Sequence, residues 1–145
     1  MSKKIIIGNW KMNALTEKEA KKLFKDVAKN ISRVKKTQIV ICSPVIYFES
    51  LRRFSRKISL GAQNVFWGTV GAFTGEISAE MLYSVGAKYV ILGHSERREL
   101  GENNIDINKK LKAVLGASLT PIVCVGEKER DENHEYFNVV KIQIK

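Results

Sequence analysis

Five short runs, nearly all apolar, recur along this chain at residues 4–7, 39–42, 58–62, 89–92 and 121–125. Each is too short for a helix and is bounded by glycine, proline or polar residues, so each reads as a strand buried on both faces. Helical periodicity fills the intervals. Thr16 and Glu19 form a capping box, and Ala20, Leu23, Phe24, Val27, Ala28 and Ile31 follow at helical spacing. Ser43-Pro44 predicts the start of a second helix, in N-cap and first-turn positions. After a loop over residues 63–77, Ser78 caps a helix expected to bury Met81, Leu82 and Val85 and to end at Gly86. A further helix is expected over 106–115, closed by Gly116. Strands alternating with helices imply a parallel sheet whose right-handed crossovers cover its outer face. Periodicity fits an open doubly wound sheet and a segment of a closed barrel equally well. Residues 131–145 are ambiguous, because Val140, Ile142 and Ile144 alternate like a strand.

The net charge of +10 raises a nucleic-acid partner. Its placement argues otherwise. Lys18, Lys21, Lys22, Lys25 and Lys29 lie on the polar side of the first helix with Glu17, Glu19 and Asp26 among them. Arg52, Arg53, Arg56 and Lys57 close the second amphipathic segment, and no recognisable groove-reading motif accompanies either cluster. Solvated helix faces explain both. No run of roughly 18 apolar residues is present, so no membrane span is expected. The opening Met1-Ser2-Lys3-Lys4 and three isoleucines make too short an apolar stretch for a signal peptide, and a cytoplasmic chain is expected. The two cysteines, Cys42 and Cys124, each sit in an apolar strand-like run and read as buried reduced thiols.

Chemistry concentrates where strands hand over to polar turns. Gly8-Asn9-Trp10-Lys11-Met12-Asn13 follows the first strand, so Asn9 and Lys11 project at its carboxyl end. A lysine there is either a solvated surface residue or a fixed positive charge for a phosphate or an enediolate. Ile91-Leu92-Gly93-His94-Ser95-Glu96-Arg97-Arg98 places His94 at the carboxyl end of the fourth strand, where parallel α/β folds build their sites. Ser95-Glu96-Arg97 reads as the opening turn of a helix, whose amino terminus disfavours an imidazolium. A neutral imidazole can donate a hydrogen bond to a carbonyl and pass protons between two oxygens. Between these segments, Gly71-Ala72-Phe73-Thr74-Gly75-Glu76 reads as a flexible turn or as a loop shaped for insertion into a partner.

With Cys124-Val125-Gly126-Glu127, these segments closely resemble the triosephosphate isomerase family, over residues 5–127 and in the family's order. The resemblance implies a (β/α)₈ TIM barrel, of which this chain would carry five units as one incomplete domain, 1–145, with 128–145 an uncertain tail. A complete barrel takes roughly 250 residues. It implies His94 and Lys11 as catalytic residues, Asn9 and Lys11 as substrate contacts, and Glu96 and Ser95 as their supporting shell. Triosephosphate isomerase is itself the standard illustration of a neutral histidine paired with a glutamate base. It also implies a homodimer in which Thr74, Gly75 and Glu76 dock into the neighbouring subunit, Thr74 reaching the residue matching Asn9. Gly68-Thr69-Val70 departs from the more polar residues usual before that loop. The substrate implied is a small phosphorylated triose, interconverted between dihydroxyacetone phosphate and glyceraldehyde 3-phosphate in glycolysis and gluconeogenesis, with no cofactor and no metal.

The family's base comes from a Tyr-Glu-Pro-Val-Trp-like segment followed by a mobile lid, and its phosphate grip from later loops; none of these segments occurs here. Glu99, Glu102, Glu127, Glu129, Glu132 and Glu135 all lie outside the required motif. Glu127 matches the residue that braces the lid. The chain alone is therefore expected to be inactive, and to need a complementary C-terminal half. The alternative is a decayed fragment or a phosphosugar-binding or interaction module without catalysis. Open first and fifth strands would also favour association or poor folding.

Overall fold

The computed structural model describes residues 4–54, 57–127, 130, 132 and 135–144. The expectations for Met1, Ser2, Lys3, Arg56, Glu129 and Asp131 lie outside the described residues. Five parallel strands form one sheet in chain order: β1 (Lys4–Asn9), β2 (Thr37–Cys42), β3 (Ile58–Ala62), β4 (Tyr89–Leu92) and β5 (Thr120–Val123). Sequential order with helical crossovers is the topology of a partial TIM barrel. Residues opposite each other in a parallel pair share a face. Asn9 pairs with Cys42, Cys42 with Gly61, and Gly61 with Tyr89, which puts Asn9 and Cys42 on the inner face.

The helices cover the outer face. α1 (Glu17–Asn30) starts at Thr16, whose capping box with Glu19 closes as expected, and buries Ala20 and Phe24. Leu23, at the margin of the stripe, remains 38% exposed. The second helical segment differs from expectation. Pro44 lies outside a 3₁₀ turn, Val45–Tyr47, and Ser43 turns its hydroxyl to the Pro44 carbonyl instead of capping. α2 (Phe48–Arg52) follows directly. α3 (Ala79–Ser84) is capped by Ser78 as anticipated, but Ala79 and Leu82 form its buried face. Met81, about 100° round the helix from Leu82, is 51% exposed, which corrects its assignment to the interior.

α4 (Ser95–Glu99) and α5 (Asn104–Gly116) complete the cover. α5 begins earlier than its apolar pattern suggested, because the Asn103 side chain accepts from the Ile105 and Asp106 amides. β5, Thr120–Val123, begins one residue and ends two residues before the expected run, so Cys124 follows the strand; its amide still donates to the Leu92 carbonyl (2.8 Å). The last described segment is helical: α6 (Tyr136–Ile144). Alternating Val140, Ile142 and Ile144 suggested a strand, and the family pattern a helix; the helix is observed.

Two clusters hold the fold. Phe24, Phe48, Leu51, Leu60, Leu82, Leu92 and Val114 pack between sheet and helices. Val40, Cys42, Tyr89 and Ile91 form the second cluster, with Ile122 and Cys124 against them. Both cysteines are free, Cys42 buried and Cys124 half-buried. Burial pushes the Cys42 thiol up to about 12 and raises Cys124 as well, which disfavours the thiolate at both.

Candidate active site at the carboxyl ends of the strands

Lys11 leaves β1 in the left-handed region, at φ 54°. A non-glycine residue there costs about 1 kcal/mol, so neighbours must hold it. The Asn9 side-chain oxygen accepts the Lys11 amide (2.9 Å), and the Gln63 amide donates to both the Lys11 and Cys42 carbonyls (2.9 Å each). Gln63 is a positioning residue that the sequence reading passed over as the first residue of a loop. An isolated glutamine carries no signal; only the fold brings it beneath Lys11.

The Lys11 ammonium reaches Glu96 at 2.6 Å. Hydrogen bonding to Lys11 is the main cause that holds the Glu96 carboxyl below its ordinary range, and the Lys11 charge adds to it. Both side chains are more than half exposed, so the energetic weight of the pair is small. Its weight is geometric: it ties the end of β1 to the start of α4.

His94 is the N-cap of α4, and its Nδ1 accepts the Glu96 backbone N–H at 3.3 Å. A ring nitrogen that accepts carries no proton, so the neutral ring bears its hydrogen on Nε2. The Glu96 carboxylate lies 3.6 Å from Nδ1, beyond hydrogen-bond length. Ser95, the first residue of α4, is exposed at the rim of a cleft of about 820 Å³ that Gly93, His94, Arg98 and Cys124 also line.

A buried polar frame fixes the turn that carries His94. Gly93 sits at φ 67°, where a Cβ would meet Ile107 at 2.8 Å and Arg98 at 3.0 Å, so only glycine fits. Its amide donates to Glu102 (3.2 Å), and its carbonyl accepts from Arg98 Nε (2.8 Å). Arg98 also reaches the Asn104 side chain (2.7 Å) and the Cys124 carbonyl (3.3 Å), linking β4, α5 and the end of β5. Glu102 pairs with Lys110, both almost wholly buried, and Lys110 reaches Asn64 at 2.8 Å. Glu102 therefore has a structural task. The second Arg of the motif anchors the turn, while Arg97 faces Glu102 only at 3.8 Å.

Glu127 pairs with Arg130 (2.7 Å), and that hydrogen bond is the main cause holding its carboxyl low. Thr74, Gly75 and Glu76 occupy an exposed loop after Phe73, whose ring packs on Phe66. Among the described residues, no hydrogen bond or ion pair joins this loop to Lys11 or His94 within one chain. Among the described residues no group of three potential metal ligands converges, and no helix is long and apolar enough to cross a membrane.

Residues 4–145 match the family model described as triosephosphate isomerase. Curated triosephosphate isomerases are similar throughout. That of Endomicrobium trichonymphae is 45% identical over 100% of this chain and 59% of its own length. That of Alkaliphilus oremlandii is 42% identical over 99% of this chain and 59% of its own, and that of Dehalococcoides mccartyi strain CBDB1 45% over 97% and 56%. The chain thus spans about three fifths of the relatives it matches, and the match includes the tail beyond residue 127.

Proposed function

The chain belongs to the triosephosphate isomerase family, and from that premise we propose that it carries the lysine–histidine half of a site interconverting dihydroxyacetone phosphate and glyceraldehyde 3-phosphate. The observation that carries this reading is the convergence of Lys11, Glu96 and His94 across the sheet: 2.6 Å between the ion pair and 3.3 Å from the Glu96 amide to the imidazole. The reaction moves a proton between adjacent carbons through an enediolate. The Lys11 charge stabilises the oxygen that becomes negative. His94 Nε2–H hydrogen-bonds the carbonyl oxygen and shuttles the proton between the two oxygens. Asn9, whose side-chain oxygen is committed to Lys11, offers its NH₂ to the substrate.

Among the described residues no carboxylate suits the carbon base. Glu102 is committed to the Gly93 amide and to Lys110, and Glu96 and Glu127 are each held low by a cation. Lowered basicity is the wrong direction for proton abstraction at neutral pH. The base and the phosphate grip would come from polypeptide equivalent to the relatives' remaining length. Residues 4–145 act as one incomplete barrel unit in a cytoplasmic glycolytic enzyme. The exposed 71–76 loop supports a homodimer: Val70 is 86% and Phe73 48% exposed beside it, and Thr74 would meet Asn9 of the partner subunit.

Isomerase turnover of the 145-residue chain, alone and mixed with a polypeptide spanning the rest of the Endomicrobium relative, tests the proposal. We expect none alone and measurable turnover in the mixture, reduced roughly 10²–10⁴-fold by His94→Ala. Robust turnover alone would show that this chain supplies its own base. A mixture that forms a complex and binds triose phosphate without turnover favours the binding-module alternative.

A further inference from the structure

Gln63 and Asn64 are neighbours just beyond β3, yet their side chains serve opposite flanks of the site. Gln63 donates to the Lys11 and Cys42 carbonyls, at the ends of β1 and β2. Asn64 turns instead to α5, where its side-chain oxygen accepts from the Lys110 ammonium at 2.8 Å. Lys110 pairs with one oxygen of Glu102, and the other Glu102 oxygen accepts the Gly93 N–H at 3.2 Å. His94 follows Gly93 directly. An unbroken polar path therefore runs from Lys11 to His94 through Gln63, Asn64, Lys110, Glu102 and Gly93. It is almost wholly buried at Lys110 and Glu102, where a donor or acceptor without a partner is costly and hydrogen bonds keep their geometry. The Lys11–Glu96 pair also joins the two flanks, but both its side chains are more than half exposed and water competes for them.

We propose that Asn64 is a positioning residue for His94, acting through Lys110 and Glu102, and that the Gln63-Asn64 pair thereby fixes Lys11 and His94 relative to each other. Lys110 ends in a point charge on a flexible four-carbon stem, so a single acceptor leaves its ammonium free to pivot. Asn64 supplies the second acceptor and fixes where the ammonium stands. Glu102 follows the ammonium, and the Gly93 amide follows Glu102. Without Asn64 the turn that aims the imidazole loses one of its two anchors, the other being Arg98 on the Gly93 carbonyl. The consequence for turnover rests on the triose-phosphate reading; the placement of the ring does not.

Nitrogen NMR of the full chain reads the ring directly, with the His94 signals identified by their loss in His94→Gln. In the parent, Nδ1 should appear as the unprotonated nitrogen, because it accepts the Glu96 N–H. In Asn64→Ala the Nδ1 signal should shift toward a mixture of tautomers, and the Glu96 amide should exchange with solvent roughly tenfold faster. Asn64→Asp keeps an acceptor for Lys110 and should return both readouts to the parent values. Thr16→Ala loosens the fold from the cap of α1 and should leave the ring signal where it is. If Asn64→Ala does not fold, Asn64→Ser, a smaller loss at the same acceptor, gives the same comparison. An unchanged His94 signal would overturn the proposal. An equal shift in Thr16→Ala, or no recovery in Asn64→Asp, would overturn it too, as the sign of general loosening. In the turnover mixture Asn64→Ala should lower kcat roughly tenfold with KM nearly unchanged. A parent mixture without turnover would count against the triose-phosphate reading and leave the NMR comparison to decide the positioning role.

Discussion

Residues 5–7 of β1 are as apolar as β4, yet only β4 is buried. Tyr89, Val90, Ile91 and Leu92 of β4 are at most 9% exposed, whereas Ile5, Ile6 and Ile7 of β1 are 46%, 60% and 37% exposed. The difference is not composition but neighbours. β4 lies between β3 and β5, while β1 pairs only with β2 among the described residues. β5, at the opposite edge, shows the same deficit, with Val123 40% exposed. The candidate site straddles this contrast: His94 stands on the well-packed side, Lys11 on the open one. Half of the chemistry is thus framed by a finished core and half by an unfinished edge.

The largest expected effect measures that contrast directly. Leu92→Ala on β4 should cost about 2–5 kcal/mol by urea unfolding, from lost burial and the cavity left behind. Ile6→Ala on β1 should stay within about 0.5 kcal/mol, as at an ordinary surface position. If Ile6→Ala matches Leu92→Ala, the β1 edge is covered in solution and the contrast fails. The next effect tests the frame under β4. Lys110→Met strands the buried Glu102 carboxylate and should cost about 3 kcal/mol, most of which Glu102→Gln in the same chain should restore.

On the β1 side, Thr16→Ala removes the cap of α1 and should cost about 1 kcal/mol, visible as a lower thermal midpoint. The smallest effect joins the two regions. Glu96 is held low by Lys11, so its folded pKa lies beneath its ordinary value of 4.5. A depressed folded pKa gives stability that is present above 4.5 and is lost as pH falls through the folded value. The difference in thermal midpoint between the parent and Glu96→Gln should therefore be small at pH 7, vanish near pH 2, and shrink in 1 M salt.

Most of the fold was legible because local rules and tertiary demands agreed. The Thr16–Glu19 box, the Ser78 cap, and the five apolar runs each had one sensible outcome, and all five runs became parallel strands in order. Reading failed where two rules competed. Ser43-Pro44 offered a cap, but the 3₁₀ turn claimed the backbone first. Val140, Ile142 and Ile144 alternate, yet Tyr136–Ile144 form a helix, since three alternating apolar residues are too short a run to separate strand from helix. Within the site, Lys11, His94 and Glu96 were visible as motif residues at strand ends. Gln63, Arg98 and Glu102 were not assigned these tasks, because what they do depends on backbone groups 9 to 52 residues away in sequence.

The most direct test of the split site is turnover of the parent chain and of Lys11→Met, each measured alone and after mixing with the relatives' remaining polypeptide. The expected result is no turnover from either chain alone, clear turnover from the parent mixture, and a loss of at least about a hundredfold in the Lys11→Met mixture at equal complex formation. Equal turnover from the two mixtures, or turnover from the parent chain alone, would contradict a site whose electrostatic half resides here and whose base does not.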